Sequence, residues 1–373
     1  MNYSQRYTEL NTRFQLGVNT YLAESGTDIR FCSFESQPLS TQKENVLANI
    51  YNESINENFS FIYPVFVPHK IKNPNKAILL MHGLNERNWS KYLTWAEFLC
   101  EKTGKAVILF PIAFHMNRSP LNWSNPRALA PILELRRKLN GDDRTLSFAN
   151  VALSERISER PIRFYSSGRQ SMCDLTQLFR EIKQGLHPMF APDTQIDIFA
   201  YSIGAFLSQI TLMTNPQDLF TDSKLFMFCG GSIFSSMSGE SRSIMDRPAF
   251  AKLLNYYTSD FETNAREKTV HDKGFESFFS MISPERNQIE RESFFKRMGN
   301  KISGISLAKD HVIPYNGVMK AIGNECAEKC VQLLDFCFPY THENPFPTGS
   351  KRDDVAINAS FDRVFSSAAH FLA

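Results

Sequence analysis

Apolar residues in this chain gather into short unbroken runs, separated by longer stretches in which they recur every three or four positions. Phe59 to Val67 is rich in β-branched and aromatic residues and ends at Pro68, and Ala77 to Met81 is apolar throughout. Both read as strands. Asn88 to Gly104 carries Trp89, Leu93, Ala96, Phe98 and Leu99 at helical spacing, and Gly104 marks its end. Ala106 to Phe114 is expected as the next strand, followed by a helix near Ser171 to Gly185, a strand at Ile196 to Ala200 and a helix from Ile203 to Thr214. Leu225 to Cys229, Ile302 to Leu307 and Val331 to Phe338 are further strands, and Val355 to Leu372 is an amphipathic helix. Short buried strands alternating with helices predict an α/β fold, a mostly parallel central sheet with helices on both faces.

Two segments interrupt this rhythm, Met116 to Ser167 and Ser232 to Gly299, and both exceed an ordinary αβ connection. The second carries Phe250, Leu253, Leu254 and Tyr257, then Phe275, Phe278, Phe279 and Met281, at spacings that give helices one apolar face. It is expected to be a helical cap over one end of the sheet. The first is open between a cap and a decoration that protects an edge. The division expected is an N-terminal extension over 1–60, a core over 61–231 and 300–373, and a cap insertion over 232–299. The extension is polar and loosely patterned; it adds an edge strand or supports the cap.

Composition narrows the function classes. Of 373 residues, 42% are hydrophobic and 21% charged, which excludes a disordered chain. Lys and Arg number 41 against 39 Asp and Glu, so the basic excess of a general nucleic-acid binder is missing. No apolar run approaches the roughly 20 residues of a membrane span. The polar start, MNYSQRYTELNTRF, lacks the apolar stretch of a signal peptide, so the protein is expected in the cytoplasm and its Asn-x-Ser triplets are expected to go unmodified. The seven cysteines are scattered and odd in number, as reduced thiols would be. Cys326 and Cys330 share a helix face, but no second pair stands at ligand spacing. No G-x-x-x-x-G-K-[ST], G-x-G-x-x-G or H-E-x-x-H occurs, so no cofactor and no metal are implied.

Candidate chemistry begins at Ile196-Asp197-Ile198-Phe199-Ala200-Tyr201-Ser202-Ile203-Gly204. A strand enters a turn and a helix leaves it, with Ser202 at the corner between the small residues Ala200 and Gly204. A sharp strand-to-helix turn brings backbones close, so small residues are needed there, and the turn lifts the hydroxyl out of the sheet: a nucleophile elbow with Ala in place of the first Gly. The alternative is a plain helix N-cap. A serine nucleophile needs a base, and the base needs an orienting carboxylate. Asp310 follows the strand Ile302 to Leu307, and His342 follows the strand Val331 to Phe338. All three stand beyond carboxyl ends of strands, where residues of a parallel sheet converge. His82-Gly83-Leu84-Asn85 follows the strand Ala77 to Met81. A turn there places a backbone N–H beside the serine, partnered by the N–H of Ile203, to receive the charge that develops on a carbonyl oxygen.

With these elements in this order, residues 60 to 373 resemble the α/β-hydrolase superfamily. The resemblance implies a Ser202-Asp310-His342 triad and an oxyanion hole near Leu84 and Ile203, with Asn85 as the second choice for the first donor because the glycine run of many lipases and esterases is missing here. Among other polar candidates, His311 is expected to be structural or exposed, His82 to fix its loop, and His115 to line the pocket or cap a loop; Asp335 is a poorer acid than Asp310, and His69, His187, His271 and His370 carry no motif. The expected function is a serine hydrolase acting on a small-molecule carboxylic ester or thioester through an acyl-enzyme. The alternatives are an amidase or peptidase on the same triad, or a non-catalytic binding protein on the hydrolase fold.

Overall fold

The computed structural model describes residues 2–37, 55–141, 143–263, 272–349 and 353–373. The parts of the expected extension and cap at 38–54 and 264–271, His271 included, lie outside the described residues. Among the described residues nine strands form one sheet in the order β1-β2-β3-β5-β4-β6-β7-β8-β9. They are β1 (Thr20–Leu22), β2 (Thr27–Glu35), β3 (Ser60–Pro68), β4 (Lys76–Met81), β5 (Ala106–Leu109), β6 (Gln195–Tyr201), β7 (Leu225–Phe228), β8 (Ile302–Leu307) and β9 (Val331–Leu334). From β5 to β9 all neighbours are parallel, and β1, β2 and β3 continue the sheet antiparallel.

The parallel strands are buried on both faces, which is why they read as continuous apolar runs rather than as alternation. On one face the helices Tyr3–Arg13, Ser90–Thr103 and Asp354–Leu372 pack together around Trp95, Phe361 and Phe365. On the other lie Arg163–Lys183 and Ile203–Thr214, around Phe179, Phe206 and Ile210.

Three expectations shift. Within 1–60 the described residues add two strands where one edge strand was expected: β1 and β2 join the sheet, paired through β3, and the helix Tyr3–Arg13 packs on the core. β5 stops at Leu109 and not at Phe114, because Pro111 lacks the N–H that would continue the ladder. β9 stops at Leu334, and an irregular segment carries the chain from there to His342.

Each insertion reaches the carboxyl end of β4, where the Asn85 side chain donates to the carbonyls of Ala149 and Ser243. The first supplies the helices Pro126–Asn140 and Val151–Glu159, and the helix after it begins at Arg163, earlier than its apolar pattern announces. The second supplies Arg247–Asn255, Lys273–Ser280 and Gln288–Met298. The two are joined by a buried ion pair, Arg136 to Asp246 at 2.7 Å, in which Asp246 also caps its own helix by accepting from the Ala249 N–H. The helix Lys273–Ser280 packs on Ile203–Thr214, the helix that leaves the Ser202 corner.

Candidate active site

Ser202 joins β6 to the helix Ile203–Thr214 with φ 56° and ψ −125°. That is unfavourable backbone for a residue with a Cβ, and such conformations persist only where surroundings over-determine them. Here the constraints are close contacts. A Cβ on Gly204 would lie 2.7 Å from the His82 carbonyl oxygen, and one on Gly230 would lie 2.5 Å from Ala205 Cβ. The helix therefore seats directly against the ends of β4 and β7, and the Ser202 N–H donates to the Phe228 carbonyl at 3.3 Å.

The structure brings Ser202, His342 and Asp310 into one hydrogen-bonded chain. Ser202 Oγ lies 2.7 Å from His342 Nε2, and His342 Nδ1 lies 2.8 Å from Asp310 Oδ2. Asp310 is itself fixed: Oδ1 accepts from the N–H groups of Val312 at 2.9 Å and Ile313 at 2.8 Å. With Oδ2 accepting the Nδ1 proton, the lone pair of the neutral ring stands at Nε2, facing the serine. All three residues are at most 4% exposed. Asp335 is elsewhere, paired with Lys309 at 3.0 Å and accepting from Tyr340 at 2.9 Å, and His311 is exposed.

The loop after β4 is held from several sides. His82 is buried; its Nε2 accepts from the Ile112 N–H at 2.9 Å, so its Nδ1 carries the proton and donates to the Gly83 carbonyl at 2.8 Å. Burial pushes its pKa well down, which keeps the ring neutral. The Gly83 N–H is used by Tyr92 Oη at 2.9 Å, and Tyr92 in turn donates to Glu86 at 2.8 Å. Asn85, with φ 62°, donates through its side chain to the carbonyls of Ala149 and Ser243, each at 2.7 Å, one from each insertion. The Leu84 and Ile203 N–H groups donate to no described residue.

Sequence reasoning missed the supports of the histidine. Tyr201 donates its hydroxyl to the His342 carbonyl and stacks on the His342 ring, with centroids 5.4 Å apart and 15° between planes. Lys91 Nζ lies 4.8 Å from the centroid of the Tyr201 ring. Cys229 borders Asp310, and burial first, then the Asp310 charge, pushes its thiol well up, so it stays neutral. These residues come from two strand ends and a helix, and no spacing along the chain announces them.

Two cavities meet beside Leu84. The smaller, about 570 Å³, is apolar and runs along Ile203, Phe206, Leu207 and Ile210 to Met172 and Phe278. The larger, about 1220 Å³ and open to solvent, is walled mainly by the first insertion. His115 lines both, with Nδ1 donating to the Ala113 carbonyl at 2.9 Å. Phe279 borders neither; it stacks on Phe275 and under the Arg286 guanidinium. Among the described residues no His, Cys, Asp and Glu cluster could hold a metal ion, and no helix is long and apolar enough to cross a membrane. Cys326 and Cys330 lie on one helix with sulfurs 4.0 Å apart.

No curated protein matches the chain. One family model, described as a family of unknown function, DUF6051, matches residues 1–373. Among solved structures, a mutant of the esterase rPPE aligns at TM-score 0.50 and 11% identity over 99% of this chain and 89% of that one. Carboxyl esterase 2 of the mycorrhizal fungus Tuber melanosporum aligns at TM-score 0.49 and 9% identity over 99% and 98%. At 11% identity the likeness to the rPPE structure is one of fold alone, the α/β-hydrolase fold.

Proposed function

The chain belongs to DUF6051, a family of unknown function, and we propose that it is a serine hydrolase cleaving a carboxylic ester or thioester through an acyl-enzyme. The observation that carries this reading is the buried chain from Ser202 Oγ through His342 to Asp310, with contacts of 2.7 and 2.8 Å, set on a positive-φ corner. A serine that needed only to cap a helix requires neither a strained backbone nor a histidine oriented by a carboxylate.

In the first step Ser202 Oγ attacks the carbonyl carbon while His342 Nε2 takes the hydroxyl proton. Asp310 holds the ring in the tautomer that accepts at Nε2 and stabilises the imidazolium once it forms. The carbonyl oxygen becomes an oxyanion that the N–H groups of Leu84 and Ile203 receive. Collapse breaks the bond to the leaving alcohol or thiol, which takes the proton from His342. A water then gives its proton to His342 and attacks the acyl carbon, and Ser202 recovers its proton as the acid leaves. The apolar cavity along Ile203 and Phe278 takes an apolar arm of the ester, and the insertion over 232–299 is the cap that closes it.

A fluorophosphonate probe tests the reading. The expected result is stoichiometric labelling at Ser202, lost in Ser202→Ala and in His342→Gln. A folded wild-type protein that does not label, and hydrolyses no activated ester or thioester, is a binding protein on the hydrolase fold.

A further inference from the structure

Of the 17 glycines, all but one are called for locally: each has either a positive φ or a neighbour that a Cβ would meet at 3.2 Å or less. Gly168 has neither. Its φ is not positive, and a Cβ there would meet no described atom within 4 Å. It stands inside the helix Arg163–Lys183, where glycine is the costliest residue short of proline. Gly274, on the helix Lys273–Ser280, shows the contrast: a Cβ there would lie 2.9 Å from Met172 Cε and closer still to the Arg169 guanidinium. Local backbone and packing thus give no reason for a glycine at 168.

The apolar cavity beside Leu84 gives one. Gly168 lines it, and so do Phe164, Tyr165 and Met172, its neighbours one turn away on the same helix. Gly168 is therefore central to the face that this helix turns to the cavity, and a side chain there would project into that space. Another wall is a second stripe at helical spacing, Ile203, Phe206, Leu207 and Ile210. From Ile203, next to the nucleophile, to Ile210 the helix rises about 10 Å. An extended alkyl chain advances about 1.25 Å per carbon, from its bond length and angle, so about eight carbons span the stripe. One turn beyond, Leu175 and Met213 belong to the core and do not line the cavity. The acyl part of an ester stays bound to the serine after the alcohol or thiol departs. It belongs in the cavity that starts at Ile203, and the leaving group in the larger one that opens to solvent. Resting on the hydrolase reading of Ser202, we infer that the substrate is an ester or thioester of a medium-chain acyl group, about eight carbons long, and that Gly168 sets this specificity by leaving the cavity open.

Three measurements test this, one of them without turnover. Gly168→Ala should raise the melting temperature by about 1 °C or more, since alanine improves a helix where its Cβ is free. A fall would show that packing requires the glycine and overturns the inference. In the wild-type enzyme, kcat/KM on 4-nitrophenyl octanoate should exceed that on the acetate by about tenfold or more, and the dodecanoate should gain nothing further. Gly168→Leu should cut the octanoate-to-acetate ratio by about tenfold or more, where a purely structural role would lower both rates alike. Isothermal titration of the Ser202→Ala protein with sodium octanoate and sodium butanoate reads the cavity directly. Each buried methylene is worth about fourfold, so octanoate should bind about tenfold tighter or more, and adding Gly168→Leu should remove that advantage. An octanoate-to-acetate ratio and an octanoate affinity both unchanged by Gly168→Leu overturn the inference even where esters are hydrolysed. Octanoate binding that Gly168→Leu abolishes, in a protein that hydrolyses no ester, retains the chain site and removes the hydrolase reading instead.

Discussion

At the scale of single residues, the site is a few atoms held where they would not sit unaided. Ser202 is the clearest case, with φ 56° and its Oγ 2.7 Å from His342 Nε2. Ser202→Ala is expected to lower turnover of an activated ester by about a millionfold, the scale seen when a triad serine is removed, while circular dichroism and the melting temperature hold. A mutant that keeps most of the wild-type rate would move the nucleophile elsewhere. Gly204 is the complementary case. The Cβ of Gly204→Ala would meet the His82 carbonyl oxygen at 2.7 Å and the Met81 carbonyl carbon at 2.8 Å, backbone atoms that cannot swing aside. Overpacking of that kind costs about 1–3 kcal/mol. The urea midpoint should fall by a matching amount, and kcat should fall further than stability explains, because the same contact positions the loop that ends in Leu84.

At the scale of elements, the two insertions divide the walls of the site between them. Phe278 is the point where the helix Lys273–Ser280 reaches the apolar cavity, packed among Phe164, Tyr165 and Phe206. Phe279, its neighbour in sequence, points away toward Phe275 and Arg286. Phe278→Ala should therefore raise the rate on long-chain relative to short-chain 4-nitrophenyl esters, whereas Phe279→Ala should lower stability without changing that ratio. Equal ratios in the two variants would make the segment a packing unit with no part in specificity. The helical spacing of these rings is legible in the sequence, but not which of two adjacent rings faces the cavity, since that depends on how the helix docks on Ile203–Thr214. Asn85 binds the insertions to the loop after β4, through carbonyls of Ala149 and Ser243. Asn85→Ala should lower kcat more than it lowers the melting temperature, and rates corrected for folded fraction check it.

At the scale of the whole molecule, buried histidines tie stability to pH. His187 is pushed down to about 4 by burial, and burial also lowers His82 and His115. Each binds its proton more weakly folded than unfolded, where the ordinary value is about 6.5. Between those values the unfolded chain holds more protons, so their contribution to stability is complete above about pH 6.5 and is lost as pH falls toward 4. Each such group adds up to about 1.4 kcal/mol per pH unit to the slope within that window. Urea unfolding should show a lower midpoint at pH 5 than at pH 7.5, and His187→Gln should flatten the slope by about one proton. A midpoint that is level across this range would mean that the histidines are not buried in the neutral form.

The sequence by itself determined the α/β alternation, the corner at Ser202 and the order of Asp310 and His342 after later strands. These are local: apolar runs, small residues flanking a turn, and polar residues just beyond strand ends all leave their mark within a few positions. It also marked two segments longer than an ordinary connection, and in the second of them a helical spacing of apolar residues, which is legible without knowledge of what a helix covers. Only the tertiary structure decided the rest. That Thr20–Leu22 and Thr27–Glu35 extend the sheet depends on pairing through β3, and a strand's partners are not written in its own residues. That Tyr201 and Cys229 surround the His342–Asp310 pair, and that Gly168 lines one cavity with Ile203 and Phe278, depends on chain segments far apart in sequence meeting in the fold. Periodicity reports which side of an element is buried; what lies opposite that side is fixed by packing, and the site is made of such opposites.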